Sequence, residues 1–244
     1  MTKLSIQNIS IRTGDKDVIN DVTMDLEGGK MCVLMGPNGS GKSTLLNGIF
    51  SHPNYEITNG SIVLDGEDIT DLATEKKAQK GLFLSMQYLP EIAGVTLASF
   101  MHKAYRSLHD PEISMIDFYT LLEEKAKELE IDPSFLTRDV NLGLSGGEKK
   151  LSEVLQLAVL RPKFAFLDEI DSGVDIDSQQ KVFHAISVLQ SQGTGFLLIT
   201  HYNAILEHID PDFVYVVGGG KVVASGQKEL ASQIAEGGFA SFLQ

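Results

Sequence analysis

Residues 36–44, GPNGSGKST, stand between the unbroken apolar run MCVLM (31–35) and the helix-like stretch STLLNGIF (43–50). Nothing else in the chain limits its fold as strongly. An apolar run without alternation fits a strand buried on both faces. The spacing Gly36-x-x-x-x-Gly41-Lys42-Ser43 fits the phosphate-binding loop that joins such a strand to a helix. Glycines let backbone wrap closely around phosphate, and the amides of residues 39–44 converge at a helix N-terminus, where negative charge is favoured. Lys42 is suited to β- and γ-phosphates, and the Ser43 hydroxyl to Mg2+.

Further strands are expected around this unit. GLFLSM (81–86), FAFLD (164–168) and GFLLIT (195–200) are short apolar runs, while KLSIQNISI and VTMDLE alternate. FVYVV and KVVAS flank the glycines 218–220 as a hairpin would. Strands alternating with helices predict a largely parallel sheet in an α/β fold. The stretch from about 89 to 160 reads differently. MIDFYTLLEEKAKELE sets Leu122, Ala126 and Leu129 on one helical face and leaves Glu123 and Lys127 on the solvated one. One domain over 1–244 is expected, with a core of 1–88 and 161–244 and a helical subdomain at about 89–160.

A net charge of −13 argues against a nucleic-acid partner and against anionic lipid, both of which are held by clustered Lys and Arg. No apolar stretch reaches membrane-spanning length, and the N-terminus lacks the layout of a signal peptide. Cys32 is the single cysteine, inside an apolar strand, so it reads as core in a reducing compartment. These features give the expectation of a cytoplasmic chain without direct membrane insertion.

FAFLDE ends a buried strand with Asp168 and Glu169. In a phosphate-loop enzyme an Asp at this place holds Mg2+, and the following Glu can polarise the attacking water. LLITH ends another strand with His201, placed to meet a γ-phosphate. GLSGGEKK (143–150) then precedes the helical pattern Leu151, Val154, Leu155, Ala158, so a second set of free amides opens a second helix. One small chain thus carries two phosphate loops.

GPNGSGKST, Gln87 after a strand, LSGGE, FLDE, SGVD and TH follow one another as in the ABC ATPase cassettes, which the chain resembles over essentially its whole length. The resemblance implies a P-loop NTPase core with a mainly parallel sheet, an N-terminal antiparallel β-subdomain and an inserted helical subdomain. It implies ATP and Mg2+ as cofactors, with ATP on Gly36, Pro37, Asn38, Gly39, Ser40, Gly41, Lys42, Ser43 and Thr44. Glu169, His201 and Lys42 would be catalytic, and Ser43, Gln87 and Asp168 would hold the metal. The signature Ser145, Gly146, Gly147 and Glu148 would serve ATP held by a second copy in a transient head-to-tail dimer, with Ser172, Gly173 and Asp175 as the D-loop. Two loops then make sense as halves of two sites. IRTG (11–14) lacks the adenine-stacking aromatic of many cassettes, so adenine is expected on Ile11 and Val18.

Within the family, SHPNYEITNGSIVLDGEDITDL, QYLPEIAGV, LSGGEKK, LDEIDSGVDID and THYNAILEHIDPDFVYVV are most similar to the SufC-type ATPases of SUF iron–sulfur cluster assembly. That similarity implies SufB- and SufD-like scaffold partners. A cluster needs several thiolates, so none is expected on this chain. The alternative is the nucleotide-binding subunit of a membrane ABC transporter. A partner is expected on residues 87–106, where Ile92 and Val95 beside Pro90 and Gly94 read as an exposed loop. Lys149 and Lys150 either restrain Glu169 by pairing with it or are solvated at a helix start.

Overall fold

The computed structural model describes residues 2–85, 89–170, 174–199 and 209–242. Alternating apolar residues make the first sheet. Strands β1 (Lys3–Thr13) and β2 (Lys16–Glu27) pair antiparallel, β4 (Glu56–Leu64) lies on the other side of β1, and β5 (Glu67–Asp68) lies beyond it. Leu4, Ile6, Ile9 and Ile11 of β1 and Val22, Met24 and Leu26 of β2 are buried.

Unbroken apolar runs make the second sheet. Its members are β3 (Met31–Met35), β6 (Leu82–Ser85), β9 (Phe164–Asp168), β10 (Gly195–Ile199), β11 (Phe213–Gly218) and β12 (Lys221–Gly226). Their order is β12-β11-β3-β10-β9-β6, parallel throughout except for β12 on β11. This is the expected mainly parallel α/β architecture with an antiparallel N-terminal sheet. Every residue of β3, β9 and β10 is buried, because both faces of the sheet are covered. Cys32, Leu34, Phe166, Leu197 and Ile199 pack with the first sheet and with α1 (Lys42–Ile49). Val33, Met35, Leu167, Phe196 and Leu198 pack on the opposite side, which the later helices cover. Cys32 is one of these core groups, its thiol pushed up to about 12, chiefly by burial.

Between β6 and β9 lie α3 (Leu97–Leu108), α4 (Met115–Glu128) and α5 (Gly146–Leu160). Phe118, Leu122 and Ala126 of α4, with Leu129 beyond it, face this helical core. Strands β7 (Ile92–Thr96) and β8 (Asp139–Val140) also lie here and pair antiparallel. The expected exposed loop at Ile92 and Val95 is therefore a short strand. Gly94 N–H donates to Asp139 Oδ2 (2.8 Å), Leu97 N–H to the Arg138 carbonyl (2.9 Å) and Asn141 Nδ2 to the Pro90 carbonyl (3.0 Å). Those bonds give backbone groups of this segment partners that an open loop would have left to water. After β9 come α6 (Ile176–Ser191) and, past β12, α7 (Lys228–Gly237). Among the described residues no helix is long and apolar enough to cross a membrane.

The C-terminal end of α1 is tied down by a buried charge. Lys77, on the short helix α2 (Thr74–Gln79), is 0% exposed. Its ammonium donates to the Ile49 carbonyl (2.7 Å), Ser51 Oγ (2.8 Å) and the Thr70 carbonyl (2.9 Å). Burial brings its pKa down to about 8, against the pull of Asp71 and Asp68. Lys77→Met leaves these acceptors unpaired, and we expect it to lower the unfolding free energy by about 3 kcal/mol. Urea denaturation measures this, and a loss below about 0.5 kcal/mol would mean that the tie carries no stability.

Candidate active site

Register places the site. β10 lies between β3 and β9, with Leu34 opposite Ile199 and Ile199 opposite Asp168. The chain therefore leaves β3 and β9 at the same edge of the sheet, the C-terminal edge where parallel α/β sheets bind ligands. After Met35 the loop turns on glycines whose backbone other residues cannot easily adopt. Gly36, Gly39 and Gly41 have φ of 155°, 76° and 106°, and Gly41 is the N-cap of α1. A Cβ on Gly36 would also collide with the Val217 carbonyl oxygen. Lys42 lies across the loop it follows, Nζ donating to the carbonyls of Gly36 (2.9 Å) and Pro37 (3.1 Å). Burial lowers its pKa, while Glu169 and Asp168 act in the opposite sense.

Asn38, Gly39, Gly41, Lys42, Ser43, Thr44 and Glu169 line one cavity of about 410 Å³. Asp168 is buried beside it. Desolvation raises its carboxyl above the usual carboxylate range and the neighbouring Glu169 adds to this, whereas the Ser43 hydroxyl, Lys42 and Lys150 oppose it. Its Oδ1 is buried with no hydrogen-bond partner among the described residues. An unpaired buried carboxylate oxygen near a serine hydroxyl and a phosphate loop is a fitting ligand position for a hard cation. Among the described residues no group of three or more His, Cys, Asp or Glu could hold a metal. A cation held by one carboxylate, one hydroxyl and bound phosphate oxygens needs no such group.

Glu169 has φ of 51°, a left-handed conformation that costs about 1–3 kcal/mol in a residue with a side chain. Its N–H still donates to the Ile199 carbonyl (2.8 Å). The backbone thus stays tied to β10 while the side chain lines the cavity.

The turn between β11 and β12 supports the phosphate loop from outside, a role that its sequence reading as a hairpin did not include. Gly220 N–H donates to the Ser40 carbonyl (3.2 Å), and Asn20 N–H donates to the Gly220 carbonyl (2.8 Å). Gly220 has φ of 77°, and a Cβ there would collide with the Val18 carbonyl oxygen. Val18 is half-buried next to Gly41. Ile11 is different: it is fully buried against Gly48 of α1, so the expected adenine contact at Ile11 is corrected. A register irregularity of β1 between Ile6 and Ile9 lets Ile9 and Ile11 share the buried side with Leu4 and Ile6.

The second glycine loop opens α5. Ser145 is the N-cap; its Oγ accepts from Glu148 N–H (3.2 Å), and Glu148 Oε2 accepts from Ser145 N–H (2.7 Å). This reciprocal box fixes the helix start. Ser145 and Gly146 are exposed, and Ser145, Gly146, Gly147 and Glu148 all lie off the cavity lined by residues 38–44 and Glu169. Gly147 instead approaches α6 closely: a Cβ on it would lie 2.7 Å from Ser178 Oγ and 2.9 Å from Asp175 Oδ2. Asp175 is the α6 N-cap, accepting from Ser178 N–H (2.9 Å). Gln87, Ser172, Gly173 and His201 lie outside the described residues.

The lysines after the signature are not solvated at a helix start. Lys149 pairs with Glu91 (2.9 Å), and Lys150 is buried and donates to Glu153 Oε2 (3.0 Å). The carboxylate that Lys150 pairs with is thus one turn along its own helix. Sequence spacing held a signal for this: residues 150, 153, 154 and 157 share one helical face, so two charges fall on the apolar stripe and must pair.

The family described as ABC transporter matches residues 19–172 of the chain. Vegetative protein 296 of Bacillus subtilis is 44% identical over 97% of this chain and 91% of that protein. A probable ABC transporter ATP-binding protein of Streptococcus pyogenes is 43% identical over 100% of this chain and 96% of its own length. Among solved structures, a nucleotide-free ATP-binding cassette from an ABC transporter superposes with a TM-score of 0.79 at 23% identity, covering 99% and 98% of the two chains.

The clamp on Ser40 gives a test remote from any phosphate. We expect Gly220→Ala to displace the loop and weaken ATP binding about tenfold in a calorimetric titration. An unchanged affinity would show that the turn does not shape the loop.

Proposed function

The chain belongs to the ABC transporter family of ATP-binding cassettes and is an ATPase, and from this premise we propose that it turns ATP binding and hydrolysis into the pairing and release of two copies. One observation carries the reading. The cavity at residues 38–44 and Glu169 has a phosphate loop and a carboxylate but lacks the signature loop, whose helix N-terminus stands open elsewhere. Each copy then supplies half of two sites.

In this reading one cassette spans 1–244, with a core of 1–88 and 161–244 and a helical subdomain at about 89–160. Amides of residues 36–44 and the Lys42 ammonium hold the ATP phosphates. Ser43, Asp168 and Gln87 hold Mg2+, which when bound neutralises phosphate charge. Glu169 accepts a proton from the attacking water, and His201 steadies the γ-phosphate. Ser145, Gly146 and Gly147 of the second copy meet that same phosphate, with Ser172, Gly173 and Asp175 at the seam. A helix N-terminus favours the γ-phosphate that ADP lacks, so closure reports ATP.

The output is read by soluble scaffold proteins of the SufB and SufD kind in iron–sulfur cluster assembly. Support comes from the SufC-like stretches and from the single buried cysteine, which leaves cluster ligands to the partners. An apolar groove of about 360 Å³ supports a docking place near the stretch 87–106; Phe50, Leu82, Phe83, Phe100, Ala104 and Leu108 are among its lining. A second reading, the nucleotide-binding subunit of a membrane transporter, is favoured by the name of the streptococcal relative. A cytoplasmic location follows from both.

We expect Glu169→Gln to bind ATP, to lose about a hundredfold or more in kcat, and to accumulate an ATP-dependent dimer. Lys42→Ala should weaken ATP binding itself by about tenfold or more. Hydrolysis by Glu169→Gln at the parent rate would remove this residue from the chemistry. Purification of the tagged chain from its host should bring down soluble scaffold partners, and Ala104→Asp with Leu108→Asp should release them while ATP binding persists. Partners retained by that double variant would move the docking place, and a co-purifying permease would favour the transporter reading.

A further inference from the structure

The signature loop carries a carboxylate where a phosphate is to arrive. Glu148 is at the third position of α5, next to the helix N-terminus that the head-to-tail reading directs at a γ-phosphate of the second copy. An uncompensated carboxylate there repels that phosphate and cancels part of what the helix N-terminus offers.

The surrounding residues dispose of this charge. Glu148 Oε1 accepts from Arg138 Nη1 at 2.9 Å, and Oε2 accepts from Ser145 N–H at 2.7 Å, so both oxygens are engaged. The Ser145 amide first, and the Arg138 guanidinium after it, hold the carboxyl below the usual carboxylate range. Glu148 therefore stays ionised, and Arg138 is the cation paired with it. The lysines that follow it in sequence are committed elsewhere, Lys149 to Glu91 and Lys150 to Glu153.

Arg138 is itself fixed from several directions. Its Nη2 donates to the Gly143 carbonyl at 3.2 Å, and its guanidinium stands 5.5 Å from the centroid of the Phe135 ring. Its own carbonyl accepts from Leu97 N–H (2.9 Å), at the junction of β7 and α3. The two side chains are 36% and 33% exposed, so the pair stands at the surface and is still partly desolvated. One residue thus holds the glycine that begins the loop and the glutamate that closes it.

We propose that Arg138 is a positioning residue for ATP-dependent pairing of two copies. It neutralises Glu148 and fixes residues 143–148, so that α5 presents the Gly146 and Gly147 amides to a γ-phosphate with the Glu148 charge compensated. The inference rests on the head-to-tail reading and adds to it a residue outside every nucleotide motif of the chain.

The test uses the full chain carrying Glu169→Gln, with Mg-ATP, and reads the dimer dissociation constant by sedimentation. Glu148→Gln keeps the capping geometry and removes the charge, because an amide oxygen can accept from Ser145 N–H. Arg138→Gln should weaken pairing about tenfold, while ATP affinity of the unpaired chain stays within about twofold. Adding Glu148→Gln to Arg138→Gln should return pairing to within about threefold of the parent, which loss of a purely structural support would not do. Pairing indifferent to Arg138→Gln overturns the proposal, as does a defect that Glu148→Gln leaves uncorrected. A Glu169→Gln parent that fails to pair with ATP overturns the head-to-tail reading, and the proposal with it.

Discussion

The arrangement on which everything else depends is the seat of β10 between β3 and β9. Parallel neighbours stand about 4.8 Å apart, so the ends of β3 and β9 lie about 10 Å from each other across one intervening strand. The phosphate loop leaves one end, and Asp168 and Glu169 leave the other. β10 supplies backbone: the Ile199 carbonyl receives the Glu169 amide and holds a left-handed residue in place. Residues of all three strands are buried on both faces, so a slip of register would move both halves of the cavity and expose apolar side chains from two cores.

Close backbone approach is the second organising element. Gly36 against Val217 and Gly220 against Val18 join the phosphate loop, the β11–β12 turn and β2 with no room for a side chain at either glycine. At the starts of α5 and α6, Gly147 packs as closely against the side chains of Asp175 and Ser178. Each contact ties a loop at a helix N-terminus to a neighbouring element, so its backbone is held before any ligand arrives.

A chain with a net charge of −13 that binds ATP has to manage charge locally. Lys42 and the N-terminus of α1 stand at one loop, and the N-terminus of α5 stands at the other. Three negative groups near these places have cations facing them: Lys42 and Lys150 act on Asp168, Arg138 pairs with Glu148, and Lys150 pairs with the buried Glu153. The buried pair behind the site lies within α5 itself and is costly to desolvate and costly to break.

Features carried by neighbouring residues were legible without the fold. GPNGSGKST between an apolar run and a helical pattern determined the loop before α1, because glycine freedom and a helix N-terminus are properties of consecutive residues. MCVLM, FAFLD and GFLLI determined buried parallel strands, and the LSGGE stretch determined a glycine loop opening a helix. The resemblance of these motifs to ABC cassettes carried the fold class. Tertiary structure alone decided which distant groups meet. It buried Ile11 against Gly48, made β7 a strand by offering it β8, set Gly220 on Ser40, and gave Arg138 to Glu148 across a turn. The physical reason is one of range. A hydrogen bond within a turn of helix is written in residues three or four apart, whereas partners from separate elements depend on strand order and on which apolar faces are buried together.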